Sequence, residues 1–446
     1  MPGSAAAVAS PPSDRPPSAP AQLPASGGAA RAGGLGRELL VSVAVLTVAT
    51  TLFWMTRLDL ATADLFRSPC CSWPWAEQPF FRFIYRYGVL SGVLLAAGAL
   101  VVLTLSYWYP ARLLRARRPA LFLVLVVAVG PGLLVNVVFK DHYGRPRPRE
   151  VVELGGEERF LPVWVRGADH EAKSFPCGHC SMGFYLATPY LILRRRRRAL
   201  ALAALSVGLF AGLLLGLARM MAGGHFLSDV VWAGGMVWLV ALGLYSLLGV
   251  DHALVAPLPL GLVRNRLKAR VATVLGGGSL ALLTLGVLLA TPYFSSKTFA
   301  RSRTELAAGP EERWEIALDE ATVAVGAGPD LWVSYQVRAF GFPTSRLGFG
   351  FREADGVAVI SLDQLGWFTE RRTSVRVRVP ADGPWPVRIR LGKGRLTLDL
   401  RGFSPQTHLD VEVAEGEVRL IGAKALPLGG VRVEVVRGRV LEEPAP

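Results

Sequence analysis

Three short stretches of this chain hold the residue types that handle phosphate. The first is Lys140-Asp-His-Tyr-Gly-Arg145-Pro-Arg147-Pro148. The second is Ser174-Phe-Pro176-Cys177-Gly178-His179, and the third Arg219-Met-Met-Ala-Gly223-Gly224-His225-Phe-Leu-Ser-Asp229. Lys140, Arg145, Arg147 and Arg149 crowd positive charge at the end of an apolar run. Such a cluster wants an anionic partner, and phosphate suits both the Arg fork and the Lys point charge. Gly178 and His179 open an apolar helix, where unpaired N–H groups and the positive helix end make an anion site. An imidazole there can protonate a leaving oxygen. His225 and Asp229 stand four apart and share a helix face, so the carboxylate is expected to accept one imidazole N–H and leave the other nitrogen to attack. Gly223 and Gly224 let the backbone approach a ligand. A lone His in an apolar helix is usually structural, but ionisable groups that converge at several span ends read as functional.

Together the three stretches resemble the signature of the type-2 phosphatidic acid phosphatase (PAP2) superfamily: Lys, six residues, Arg-Pro; then Pro-Ser-Gly-His; then Ser-Arg, five residues, His, three residues, Asp. Lys140 to Arg147-Pro148, Pro176 to His179, and Arg219 to His225 to Asp229 keep that spacing. The resemblance covers roughly residues 85–250. Through GPGLLVNVVFKDHYGRPRPRE it is most like the membrane-bound bacterial branch of lipid A phosphatases. Two positions depart from the pattern: Cys177 stands where the family has Ser, and Ala218 replaces the Ser before Arg219. A thiol is the weaker donor, while the backbone N–H at 177 is expected to remain.

The resemblance implies that His225 attacks phosphorus to form a phosphohistidine and that Asp229 orients it. Lys140, Arg147 and Arg219 would hold the phosphoryl oxygens, with Cys177 and Gly178 completing the phosphate site. His179 would protonate the leaving alcohol and then activate water. Phosphoryl transfer needs positioning and positive charge more than covalent machinery, so no metal and no other cofactor is expected.

These residues need elements to hold them. The chain has 446 residues, 51% hydrophobic and only 19% charged, against the ~25% charged of soluble domains. An ordinary soluble enzyme, a disordered chain and a collagen-like chain are excluded. The net charge is +15, yet residues 293–446 hold 21 basic and 20 acidic residues. The excess therefore lies in the apolar part, where short basic blocks between apolar runs mark topology rather than a nucleic-acid face. Uncharged apolar runs recur at 39–56, 87–109, 119–139, 199–218, 230–250 and 271–292, each about long enough to cross ~30 Å of hydrocarbon. A shorter run, 179–193, counts as a seventh span. Arg112 to Arg118, Arg194 to Arg198 and Arg264 to Arg270 then fall on one side, which the positive-inside rule makes cytoplasmic.

The expected architecture is an all-α polytopic membrane bundle over 37–292, a PAP2-like six-helix core plus one extra span, in a bacterial inner membrane. Residues 1–36, rich in Ala, Pro, Ser and Gly, are expected to be a disordered cytoplasmic tail. Residues 293–446 are expected to form a periplasmic all-β domain. Its 22-residue repeats begin at Val387, Leu409 and Val431 (387–442), with Gly394, Gly416 and Gly438 in register. These glycines read as tight turns between short strands, and the repeats as a small β-solenoid or a sandwich of hairpins. The domain would serve as a spacer or bind a periplasmic or cell-wall partner.

The expected activity is hydrolysis of a lipid phosphate monoester or diphosphate at the outer face, with the phosphorylated lipid as partner and no nucleic acid. Two alternatives stay open: a phosphotransferase using polyprenyl diphosphate as donor, and a catalytically degenerate PAP2-like scaffold or receptor, for which Cys177 and Ala218 speak. Cys70, Cys71, Cys177 and Cys180 all fall on the outer side, where a periplasm permits disulfides. Either Cys70 or Cys71 bridges to Cys177 or Cys180, or the latter two pair. His142 reads as lining the pocket; His170, His252 and His408 have no role assigned.

Overall fold

The computed structural model describes residues 26–68, 73–156, 158–167, 172–255, 257, 265–289, 291–302, 304–305, 313–354, 357–381, 386–403, 408–422 and 431–443. The chain falls into two compact units, Met1–Arg264 and Asn265–Pro446.

The first unit is helical. It comprises α1 (Ser26–Met55), α2 (Leu58–Asp64), α3 (Pro79–Tyr87), α4 (Leu90–Trp108), α5 (Pro110–Val127) continued by a π-helical segment (Ala128–Lys140), α6 (Gly178–Tyr185), α7 (Pro189–Leu193), α8 (Arg198–Met221), α9 (Leu227–Leu247) and α10 (Val250–Val255). Pro79, Pro110 and Pro189 each stand in a first helical turn, where the missing N–H costs nothing. Among the described residues, six helical stretches are long and apolar enough to cross a membrane: Gly34–Met55, Pro79–Trp108, Pro110–Lys140, Arg198–Met221, Leu227–Leu247 and Arg266–Leu289. Leu40, Val48, Leu94, Phe210 and Leu213 are exposed on these helices, the surface a lipid environment covers.

The run 179–193 differs from the single helix expected. It forms two short helices, α6 and α7, because Pro189 cannot continue the ladder of α6. Among the described residues the tail differs too, since α1 begins at Ser26. The apolar span supplies the helix nucleus, and extending a formed helix costs far less than starting one. Residues 1–25 lie outside the described residues.

Small residues set how closely the site-bearing helices approach. A Cβ on Gly183 of α6 would lie 2.6 Å from the Gly212 nitrogen of α8, and one on Gly216 would lie 2.6 Å from Val230 of α9. Gly208, Gly212 and Gly216 thus form a stripe at i+4 spacing that brings α6 and α9 against α8, as in small-xxx-small interfaces.

Arg117, Arg194 and Arg195 and the phosphate motifs sit at opposite ends of this bundle. At one end, Arg194 pairs with Glu38 of α1 at 2.6 Å. Arg195 pairs with Asp251 at 3.2 Å, and Arg117 bonds Ser106. At the other end lie the C-termini of the π-helical segment and α8 and the N-termini of α6 and α9, which carry the three motifs.

Among the described residues, the second unit holds α11 (Arg266–Leu289) and nine strands in one sheet: β1 (Thr291–Arg301), β2 (Arg313–Gly328), β3 (Leu331–Gly341), β4 (Arg346–Ala354), β5 (Val357–Leu365), β6 (Phe368–Pro380), β7 (Val387–Asp399), β8 (Leu409–Ile421) and β9 (Val431–Glu443). The order is β1-β3-β6-β2-β7-β8-β9, with β4 paired to β5 and β5 to β2. β2, β7, β8 and β9 run parallel, and Val387, Leu409 and Val431 lie in register. Alternate residues such as Ile389, Leu391, Val411 and Val413 enter the core.

The repeats therefore stack as in a solenoid, and the hairpin form of the expectation is corrected. Gly394, Gly416 and Gly438 lie inside continuous strands, stacked in register, with φ of +146°, +153° and +148°. A Cβ at Gly416 would strike the Gly394 carbonyl. The glycine column bends each strand rather than reversing it.

Candidate active site

The motif-bearing end of the helical unit gathers its residues from five elements. Arg219 ends α8, and Gly223 turns the chain with φ +58°, its α-carbon packed on the Trp73 ring. Phe226 then caps α9, with its N–H donating to Asp229 Oδ2 at 2.8 Å. An Asp in the first turn of a helix suits the positive helix end. The Arg149 N–H donates to the Gly223 carbonyl at 3.2 Å, joining the first stretch to the third.

His225 and Asp229 are fully buried, but their relation is not the direct pair expected. His225 Nδ1 lies 2.5 Å from the Ser174 carbonyl oxygen and 3.7 Å from Asp229 Oδ2. A carbonyl only accepts, so Nδ1 carries the proton and Nε2 presents its lone pair. Asp229 Oδ2 accepts instead from Ser174 Oγ at 2.7 Å and from the Phe226 N–H. Ser174 links the two residues: its carbonyl holds the imidazole and its hydroxyl holds the carboxylate. Burial pushes the His225 pKa well below the usual 6.5, and Arg219, Arg147 and Lys140 push it further down, against the hydrogen bond to Ser174. These influences favour the neutral imidazole.

Arg219, Arg147 and Lys140 also act electrostatically on His179, so the three motifs converge as the spacing implied. Arg219 is nearly buried, and its Nε has no hydrogen-bond partner among the described residues. Gly224 leaves room for it, since a Cβ there would come 2.8 Å from Arg219 Nη2. A residue outside the motifs completes the cluster. Tyr85 of α3 stacks on His179 with ring centroids 4.9 Å apart, and the Arg219 guanidinium lies 4.6 Å from its ring centroid.

The turn at 177–180 departs from the phosphate site expected of it. The Cys177 N–H donates to the Asp229 carbonyl at 3.3 Å, and its sulfur is joined to that of Cys180, with Cα atoms 5.5 Å apart. The N–H of Cys177 is thus engaged by α9 and its sulfur by Cys180. The N–H groups of Gly178 and His179, first in α6, have no carbonyl four residues back. A Cβ on Gly178 would lie 2.7 Å from Asn136 Oδ1 of the π-helical segment, so only glycine lets these two elements meet there. Cys70 and Cys71 lie outside the described residues, as does His170. His142 Nδ1 is exposed and contacts the Val137 carbonyl at 2.9 Å.

Arg145 has a different partner from the phosphate its sequence context suggested. It is wholly buried, with Nη1 2.5 Å from Asp229 Oδ1 and Nη2 2.9 Å from Asp59 Oδ2. Burial disfavours its charge, yet Asp229 and Asp59 more than offset this and hold its pKa above the ordinary arginine value. Asp59, Ser174 and Ser228 carry no spacing signal that separates them from ordinary polar residues.

Residues 119–251 match the PAP2 superfamily, and all three motifs lie within that range. The lipid A 4'-phosphatase of Francisella tularensis subsp. novicida (strain U112) is 40% identical over 136 residues, 30% of this chain and 60% of that protein. The lipid A 4'-phosphatase of Rhizobium leguminosarum is 36% identical over 120 residues, 26% of this chain and 49% of that protein. The crystal structure of the first transmembrane PAP2 type phosphatidylglycerolphosphate phosphatase from Bacillus subtilis aligns at a TM-score of 0.29 and 20% identity, over 48% of this chain and 94% of that one. The helical unit carries a PAP2 superfamily domain. The chain spans about half to 60% of the length of the curated relatives it matches.

Proposed function

We propose that this protein is an integral membrane lipid phosphate phosphatase working through a phosphohistidine. The observation that carries the reading is the placement of His225: buried, with Nδ1 2.5 Å from the Ser174 carbonyl oxygen, which leaves Nε2 to attack beside Arg219, Arg147 and Lys140.

In the first step the Nε2 lone pair attacks phosphorus and the bond to the leaving oxygen breaks. That oxygen takes a proton from His179, and His225 becomes a phosphorylated imidazolium whose Nδ1–H still points at Ser174. The charge of the bound phosphate offsets the cations around His179 and lets it enter protonated. In the second step neutral His179 accepts a proton from water, the water oxygen attacks phosphorus, and the N–P bond breaks to return the electron pair to Nε2. Lys140, Arg147, Arg219 and the N–H groups of Gly178 and His179 hold the phosphoryl oxygens throughout, which is most of what such a reaction needs.

Arg117, Arg194 and Arg195 at the far end of the bundle support an active site facing the periplasm from the inner membrane, by the positive-inside rule. A phosphate on a lipid headgroup reaches that layer with its acyl chains still in the bilayer. The name shared by the relatives points to a phosphate of lipid A as the substrate. Residues 293–446 are then an accessory β domain for a periplasmic or cell-wall partner.

The test is phosphate release from a lipid A phosphate by the full-length protein in detergent, with His225→Ala as control and alkali-quenched turnover in labelled substrate to trap the phosphoenzyme. Release by wild type, loss in the variant and an acid-labile phosphoprotein are expected. Equal release by both proteins would refute the reading.

A further inference from the structure

The motif residues do not explain a second buried charge cluster behind His225. Asp59, on α2, is buried; its Oδ2 accepts from Arg145 Nη2 at 2.9 Å and from Ser228 Oγ at 2.6 Å, while its Oδ1 accepts from the Ser228 N–H at 2.9 Å. Arg145 uses its other donors on Asp229 Oδ1, on Ser228 Oγ at 2.9 Å and on the Leu161 carbonyl at 2.9 Å. Its guanidinium lies flat enough over Phe226 to sit 4.6 Å from the ring centroid. Every oxygen of Asp229 thus has a donor, and the carboxylate cannot rotate away from His225.

Two carboxylates and one guanidinium leave a surplus of one negative charge. Without Asp59, Arg145 would neutralise Asp229, and the imidazolium formed on phosphorylation would face a neutral pair. Burying three charges does little for stability when apolar residues could fill the space. The arrangement makes physical sense if its charge is used when His225 becomes cationic.

We infer that Asp59 and Arg145 are positioning residues of the phosphoryl-transfer site: Arg145 fixes the Asp229 carboxylate, and Asp59 offsets Arg145 so that Asp229 keeps its negative charge for His225. This rests on the phosphatase reading above.

The experiment compares steady-state phosphate release by full-length wild type, His225→Ala, Asp59→Asn and Asp59→Glu, each checked for folding by thermal melt. Asp59→Asn is expected to lower kcat on the order of 10²-fold with KM within about twofold, the pattern of an interaction used in the transition state. Asp59→Glu keeps the charge and is expected to recover most of that loss. A kcat for Asp59→Asn within about twofold of wild type overturns the inference, as does an equal loss in both folded variants. Should Asp59→Asn not fold, Ser228→Ala removes the hydroxyl between Asp59 and Arg145 and leaves all three charges. It is expected to lower kcat about tenfold at unchanged KM, and an unaltered kcat overturns the inference. An inert wild type, or an active His225→Ala, overturns the phosphatase reading and the inference with it; an active wild type with a dead His225→Ala isolates the test to Asp59.

Discussion

The imidazole of His225 is held by the backbone of Ser174 rather than by the carboxylate of Asp229: Nδ1 is 2.5 Å from the Ser174 carbonyl and 3.7 Å from Asp229 Oδ2. Ser174 Oγ donates to that same carboxylate oxygen, so Asp229 steers the imidazole through an intermediary. Ser174→Ala keeps the carbonyl and deletes the hydroxyl. It leaves a lone pair of a buried carboxylate unsatisfied, which costs roughly 1–3 kcal/mol. The melting temperature and kcat are both expected to fall. Asp229→Asn removes the charge as well and is expected to lower kcat further. A Ser174→Ala protein with wild-type kcat and stability would show that the relay is idle.

The charge state of His225 sets a pH dependence. Its pKa is lowered well below 6.5, first by burial and then by Arg219, Arg147 and Lys140. The nucleophile therefore stays neutral as pH falls through 6.5, and the acid limb of kcat/KM is expected below that value. The stability effect has a definite sign. The unfolded chain binds a proton on this residue near pH 6.5 and the folded chain does not, so the group's stability is present above that pH and lost below it. His225→Gln is expected to shrink the drop in melting temperature between pH 7.5 and 5.5. An equal drop in both proteins would contradict the assignment of a neutral, buried imidazole.

The motif residues were legible in the sequence from their types and spacing: Lys140, Arg219, His179, His225 and Asp229 each sit at or beside a helix end that an apolar run announces, and Arg147 follows in the loop after Lys140. Arg145 was not, since a basic residue in a basic cluster gives no sign of whether it faces phosphate or a carboxylate. Its partners lie 84 and 86 residues away, and Asp59 reaches Ser228 across 169. Such pairings exist only once α2 and α9 are packed. The 22-residue repeat was visible, but a periodic glycine fits a turn and a kink equally well. The stacking of Gly394 on Gly416 decides between them, and that is a tertiary fact. Pro189 lies within the apolar run 179–193, and its missing N–H argues for a break there.

Cys177 takes the place of a family serine yet does not act as a thiol donor. It is disulfide-bonded to Cys180 and its sulfur accepts the Cys180 N–H at 3.4 Å, as the cap of α6. Serine is a better cap, so the double variant Cys177→Ser/Cys180→Ala is expected to retain phosphatase activity. Non-reducing peptide mapping of wild type is expected to show the 177–180 link. Two free thiols there, or a dead double variant that still folds, would contradict this account.

The approach of α6 to α8 fixes where Gly178 and His179 present their N–H groups. Gly183 has no space for a side chain, since its Cβ would lie 2.6 Å from the Gly212 nitrogen. Backbone does not yield as a side-chain tip does, and overpacking of this kind costs about 1–3 kcal/mol or more. In Gly183→Val, α6 must move away from α8 and carry the His179 turn with it. KM for the phosphorylated lipid is expected to rise and kcat to fall together, because both the phosphate contacts and the proton donor are displaced. Gly243 of α9 provides the contrast, as nothing lies within 4 Å of the Cβ it lacks. Gly243→Ala is expected to leave both constants unchanged and to stabilise the helix by up to ~1 kcal/mol. If the two variants behave alike in kinetics and thermal melts, the glycine contact between α6 and α8 does not position the site.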